Sequence, residues 1–93
     1  LYHLIMPGKG GMLAIHPNPA QGNTVDVLFD ADDHGMAEIS VFNITGSRMY
    51  QNTLDYSRGL NNHKLDVSAF PAGAYVVVIN NGNTRLHNKL IVN

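Results

Sequence analysis

One group of residues in the sequence has the types that nucleophilic catalysis needs: His63, Asp66 and a nearby serine, either Ser57 or Ser68. In such a triad the histidine must reach both the serine hydroxyl and the carboxylate. Residues three apart on a β-strand point to opposite faces, so His63 and Asp66 would point away from each other. The sequence also lacks a Gly-x-Ser-x-Gly elbow, and 93 residues leave little chain to enclose a pocket. We therefore predict that the chain is not an enzyme.

The segment Asp30–Gly35 begins like the calcium-binding loop of an EF-hand. Such a loop needs an oxygen ligand at its fifth position and a bidentate glutamate at its twelfth, where this sequence has His34 and Val41. A carboxylate-rich turn between two strands is the better interpretation, and weak calcium binding at Asp30–Asp33 stays open. The histidines also lack the short spacing of a zinc site. The sequence thus predicts no metal and no cofactor.

Composition and charge exclude several classes of protein. Hydrophobic residues make up 44% of the chain and charged residues 14%, which is too apolar for a disordered tail. The formal net charge is -1, so we expect no surface for nucleic acid or for an anionic membrane. The longest apolar run, Tyr75–Ile79, is far too short to span a membrane. Because the chain has no cysteine, its stability must come from its packed core.

Apolar and polar residues alternate with period two through most of the chain, and helical spacing is nearly absent. Val25, Val27 and Phe29, for example, share one face of a predicted strand. Turn residues separate such runs at the spacing typical of a β-sandwich. We predict an all-β, Ig-like β-sandwich of about seven antiparallel strands, near residues 12–16, 24–30, 37–44, 47–54, 62–67, 73–80 and 84–92.

The dipeptide Asn81-Gly82 lies between two apolar runs and favours a two-residue type I′ turn, because both residue types tolerate positive φ. A turn of this kind would pair Asn80 with Asn83 across a β-hairpin. The same register would place Val77 opposite Leu86.

The segment Asn43–Gly46 predicts a second hairpin. Asparagine at the first turn position and glycine at the fourth favour a type I turn closed by a G1 bulge. This turn would pair Val41 with Met49 and Ile39 with Gln51.

The segment Phe70–Tyr75 is the strongest local turn signal in the sequence. Pro71 opens a turn, Gly73 permits positive φ, and Tyr75 then enters a strand. This order is typical of a tyrosine corner, in which the phenol bonds an upstream main-chain group. We therefore assign Tyr75 a structural role.

Residues 1–11 differ in composition from the remainder of the chain. Gly8, Gly10 and Gly11 follow Pro7 without any alternation, which is typical of a flexible linker. The apolar residues at the start would fit the tail of a preceding domain. We therefore divide the sequence into a linker or domain tail, residues 1–11, and a domain over residues 12–93.

Four blocks of the sequence, in order, resemble the type A C-terminal sorting domain of the type IX secretion system of Bacteroidota. Ile15–Ala20 is similar to the family's Y-P-N-P-A opening, with His16 in place of the usual tyrosine. The other three blocks are similar to its central v-y-d-l-t-G hairpin, its l-d-l-s-x-l-p-x-G-x-Y segment and its basic, apolar final strand. They are residues 39–46, 65–77 and 85–93.

The resemblance implies a sorting signal instead of a catalyst. Proteins of this family cross the periplasm, meet shuttle proteins and the outer-membrane translocon, and reach the cell surface or the extracellular space. A sortase typically removes the domain there. Cleavage would fall in or before the segment that contains Gly10 and Gly11.

The final strand is the candidate recognition segment, because it would offer a partner one charge, an apolar stripe and, at a sheet edge, unpaired main-chain groups. Its candidate residues are Lys89, Leu90, Ile91 and Val92. Residues predicted to be structural are Pro17, Asn18, Pro19, Gly46, Gly73 and Tyr75.

Two other functions remain open from the sequence. The first is an Ig-like adhesion or accessory module that binds protein or glycan, and the second is a structural spacer between domains. Open sheet edges would also allow two copies to pair as an edge-strand dimer. The sequence does not identify the cargo.

Overall fold

A computed structural model describes residues 13–93, and these residues form seven β-strands without a helix. The interpretation of residues 1–11, including Gly10 and Gly11, lies outside the described residues. The strands are β1 (Leu13–His16), β2 (Thr24–Ala31), β3 (Gly35–Asn43), β4 (Arg48–Tyr56), β5 (Gly59–Asp66), β6 (Gly73–Asn80) and β7 (Arg85–Val92).

The seven strands pack as a sandwich of two antiparallel sheets, which confirms the predicted fold class. One sheet has the order β1-β2-β5 and the other has the order β4-β3-β6-β7. In a constant-type immunoglobulin domain the fourth strand pairs with the fifth. Here the short β3–β4 hairpin places β4 in the opposite sheet. As a result, β7 and β4 lie at the two edges of the four-stranded sheet.

The core lies between the sheets and is built from the inward-facing positions of each alternating strand. Burial of one aliphatic side chain of this size contributes about 1.5–3 kcal/mol. With no disulfide in the chain, these contacts carry the stability of the fold. Residues with no exposed surface are Val27, Ile39, Val41, Leu65, Val77 and Leu90.

The β6–β7 hairpin has a four-residue loop, so the predicted two-residue turn and its register are wrong. Asn80 pairs with Arg85 in place of Asn83. The Asn81 main-chain N–H donates to the Thr84 carbonyl at 3.2 Å, and the Asn81 side chain accepts from the Thr84 N–H at 2.7 Å. Positive φ occurs only at glycines among the described residues, whereas a type I′ turn needs it at both central positions. The shift is two residues, so every side chain keeps its predicted face.

The β3–β4 turn forms at Asn43–Gly46 as predicted, but the register beyond it differs by one residue. Gly46 has a φ of 89°, and its N–H donates to the Asn43 carbonyl at 3.0 Å. A bulge then shifts the pairing, so Val41 faces Tyr50 and not Met49. Ile39 likewise faces Asn52. Because a one-residue shift exchanges the two faces of a strand, Tyr50 packs against the core.

The predicted tyrosine corner is confirmed. The Tyr75 hydroxyl donates a hydrogen bond to the Pro71 carbonyl four residues upstream. The buried Tyr75 ring also stacks on Phe70, with 5.2 Å between the ring centroids. The corner therefore joins the turn before β6 to the core.

Candidate recognition strand

The last strand, β7, forms one edge of the four-stranded sheet next to β6, and its Val92 forms an isolated parallel bridge with Ala20. Its alternation places Leu86 and Leu90 in the core, whereas Lys89 is exposed. Ile91 and Val92 are half-buried, and Val92 packs against the core. Of the four candidate recognition residues, Leu90 is therefore buried and Lys89 is the most accessible.

The outer edge of β7 is covered by the segment between β1 and β2, which we call the clasp (Pro17–Ala20). The Asn18 side-chain amide donates to the Lys89 carbonyl at 2.7 Å and accepts from the Ile91 N–H at 3.0 Å. The Ala20 N–H donates to the Ile91 carbonyl at 2.8 Å. The peptide bonds that precede Pro17 and Pro19 are both cis. The sequence predicted unpaired main-chain groups if this strand lies at a sheet edge, but the clasp bonds the Lys89 carbonyl and both main-chain groups of Ile91.

A second asparagine continues the contact at the same edge. Asn88 accepts a hydrogen bond from the Lys89 N–H at 2.8 Å. Its amide also donates to the Leu13 carbonyl in β1 at 2.7 Å, which joins the edges of the two sheets. The outward main-chain groups of Lys89 and Ile91 are thus all hydrogen-bonded. These contacts cover the C-terminal half of β7.

The role of Asn18 as a ligand of the last strand was not predicted from the sequence. Asn18 and Lys89 are 71 residues apart. Local turn rules describe contacts over a few residues and give no partner at that distance. The available signal was an asparagine between two prolines, since neither proline has a main-chain N–H to donate.

The remaining predicted structural residues lie in a turn or next to one. Gly46 and Gly73 both have positive φ, at 89° and 156°, in the β3–β4 turn and at the start of β6. Tyr75 forms the corner on the inner side of β6. These positions lie apart from the clasp and set the ends of the strands.

Of the residues considered as a catalytic triad, the structure brings Ser68 to Asp66 but separates His63 from Asp66. His63 pairs with Val27 and faces inward, whereas Asp66 is exposed. Side-chain and main-chain hydrogen bonds from Ser68 lower the pKa of Asp66, and the Ser68 N–H lies 2.9 Å from its Oδ1. Burial lowers the pKa of His63. Its Nε2 is buried and finds no hydrogen-bond partner in the described part of the chain.

The acidic turn between β2 and β3 borders an open depression of about 190 Å³. Asp30 is buried, whereas Asp32 and Asp33 are exposed. Within residues 13–93, no three histidine or carboxylate side chains come together as a group that could hold a metal ion. The calcium alternative at Asp30–Asp33 therefore gains no support from the described geometry.

Most aromatic side chains of the described strands and turns serve the core, whereas Phe42 lies on the outer side of β3. Sugar-binding surfaces need exposed rings on which a ligand can stack. None of the rings in residues 13–93 is fully exposed, so the glycan-binding alternative gains no support either. Phe29, Phe70 and Tyr75 are buried, and Phe42, Tyr50 and Tyr56 are half-buried.

A comparison with models of protein families gives a match to this chain. The family model described as a secretion system C-terminal sorting domain matches residues 14–93, which include all seven strands except Leu13. The curated proteins that were compared give no match. None of the described residues form a helix that is long and apolar enough to cross a membrane. The chain belongs to the secretion-system C-terminal sorting domain family, whose members are sorting signals of type IX secretion and direct export to the cell surface or the extracellular space.

Proposed function

We propose that this chain directs an attached cargo protein through the periplasm to the outer-membrane translocon of the type IX system, with the help of shuttle proteins. The cargo then reaches the outer-membrane surface or the extracellular space, where a sortase removes the domain. The family match over residues 14–93 is the observation that carries this proposal. It fits a sandwich whose core is closed and whose last strand lies at a sheet edge.

We assign recognition to the end of β7, with different roles for its four residues. Lys89 offers an exposed cation. Ile91 and Val92 offer half-buried apolar surface beside it. Leu90 has no exposed surface, so its role is to anchor the strand in the core and fix the direction in which its neighbours point.

A reporter fused to residues 1–93 tests the assignment in a bacterium that carries a type IX system. We expect Lys89→Ala to leave the reporter in the periplasm. Lys64→Ala is the matched control, because Lys64 is also an exposed lysine but pairs with Asp26 on the other sheet at 2.8 Å. Equal surface export of both variants would contradict the role of Lys89. An adhesion module or a spacer would leave even the wild-type fusion in the periplasm.

Sortase removal is tested on the same fusion. We propose that cleavage falls at or before Gly10 and Gly11, since a peptidase needs accessible backbone ahead of the compact sandwich. Mass spectrometry of the exported reporter should find a new C-terminus at or before Gly11. Recovery of the intact fusion at the cell surface would overturn the cleavage step without affecting the sorting step.

A further inference from the structure

The outer side of the four-stranded sheet carries apolar side chains beside the cation of the terminal strand. Phe42, Val76 and Lys89 are direct cross-strand neighbours on β3, β6 and β7, and Ala74 is the neighbour of Ile91. All five lie opposite the core side of their strands, since the adjacent Val41 and Val77 are buried in the core. Val76 is 38% exposed. We call these five residues the outer patch: Phe42, Ala74, Val76, Lys89 and Ile91.

The clasp limits the ways in which a partner protein can bind the C-terminal end of β7. Strand addition at a sheet edge needs free main-chain N–H and C=O groups. Those of Lys89 and Ile91 are bonded by Asn18, Ala20 and Asn88. A partner that added a strand here would first have to break these hydrogen bonds. Side chains of the outer patch, in contrast, are accessible without any rearrangement.

Charge indicates the chemistry of the partner. Neither β6 nor β7 contains an aspartate or a glutamate, whereas the outer side of β7 carries Arg85, His87 and Lys89. Glu38 lies on the same side of β3 and accepts a hydrogen bond from Gln51. The chain as a whole has a formal net charge of -1, so the positive charge of Arg85 and Lys89 on this side of β7 is local. A carboxylate on the partner would complement it.

We propose that the outer patch is a docking surface for an apolar protein segment that carries a carboxylate opposite Lys89. The inference rests on the proposed function, because this segment would belong to the sorting machinery. A second copy of the chain is a poorer occupant. A two-fold contact places the same patch on both sides, and the five residues of the outer patch include no carboxylate that could pair with Lys89 of the other copy.

The variant Val76→Asp tests the outer patch at a residue of β6, which is not part of the recognition segment on β7. It is made in the full chain fused to the reporter. We expect about a tenfold loss of surface export, equivalent to about 1.4 kcal/mol of binding. Ile44→Asp is the matched control, because Ile44 is 81% exposed in the β3–β4 turn, outside the outer patch. It should export like the wild type. Val76→Thr keeps the branched shape needed in a strand and serves if Val76→Asp fails to fold.

Lys89→Arg and Lys89→Glu test the charge. Arginine should retain export and glutamate should lose it, because only the first can pair with a carboxylate.

Wild-type export together with normal export of folded Val76→Asp would overturn the docking surface. If the wild-type fusion itself is not exported, the proposed function fails instead. A dimer in solution that Val76→Asp dissociates would assign the patch to a second copy and overturn the stated partner.

Discussion

Asn18 accepts a hydrogen bond from the main-chain N–H of Ile91 at 3.0 Å, although the two residues are 73 positions apart. The same side chain donates to the Lys89 carbonyl, so one amide holds two consecutive outward groups of the last strand. An unpaired edge strand is open to pairing with other chains. The clasp, which follows the first strand of the sandwich, therefore holds the C-terminal half of β7 and closes that part of the sheet edge.

Replacement of Asn18 by alanine should loosen the end of β7. The variant loses two hydrogen bonds, each with a net contribution of about 1 kcal/mol. We expect the free energy of unfolding in urea to fall by about 1–3 kcal/mol. Hydrogen exchange at the Ile91 amide should accelerate as well, because that N–H loses its acceptor.

Asn23→Ala is the control for Asn18→Ala, because Asn23 lies in the same β1–β2 connection and is also exposed. Its main-chain carbonyl accepts from the Val67 N–H, and that bond does not depend on the side chain. The clasp would be refuted as a stabilising contact if the two variants unfolded at the same urea concentration with unchanged exchange at Ile91.

Tyr75→Phe should measure the hydrogen bond of the tyrosine corner. The phenol donates to the Pro71 carbonyl, while the ring stack on Phe70 survives the substitution. We expect a loss of about 1 kcal/mol in the free energy of unfolding. Tyr50→Phe is the comparison, since its hydroxyl accepts only a long 3.4 Å contact from Asn52. A loss at Tyr50 as large as the loss at Tyr75 would contradict this assignment.

Gly46→Ala should destabilise the β3–β4 turn. Gly46 has a φ of 89°, where a side chain costs about 1–2 kcal/mol. The surroundings leave open space for the added carbon, so the cost comes from the backbone conformation and not from a clash. Gly22 also has open space but no positive φ, so Gly22→Ala should be neutral or slightly stabilising. Thermal unfolding of the two variants would distinguish these cases.

Much of the fold could be predicted from the sequence because period-two alternation places side chains on one face or the other without knowledge of the partner strand. Leu86 and Leu90 illustrate this, since both reach the core as their spacing indicates. The register of the β6–β7 hairpin could not be predicted in the same way. It depends on hydrogen bonds made by the Asn81 side chain, which extend the loop to Thr84.

The candidate site was predicted only in part. The basic, apolar strand was found from its resemblance to a family, and its edge position was stated as a condition. The closure of that edge depends on Asn18 and Asn88 reaching main-chain groups of distant or neighbouring strands. Such contacts follow from the packing of the two sheets and leave no pattern within a short stretch of sequence.

His63 is a half-buried histidine in β5. It pairs with Val27 on the inward side of β5, and its Nε2 is buried without a partner in residues 13–93. Burial disfavours the charged imidazolium and lowers the pKa of His63 from 6.5. In the unfolded chain the imidazole is solvated and binds a proton at higher pH than in the folded domain.

This difference predicts a stability that decreases with acidification. The unfolded state binds more protons than the folded state between the ordinary histidine pKa of 6.5 and the lower folded value, so the free energy of unfolding falls as pH falls through that window. Above it the contribution of neutral His63 is fully present. His63→Gln should flatten the pH dependence of urea unfolding between about pH 7.5 and about pH 5.5. An unchanged slope in His63→Gln would show that His63 is not its source.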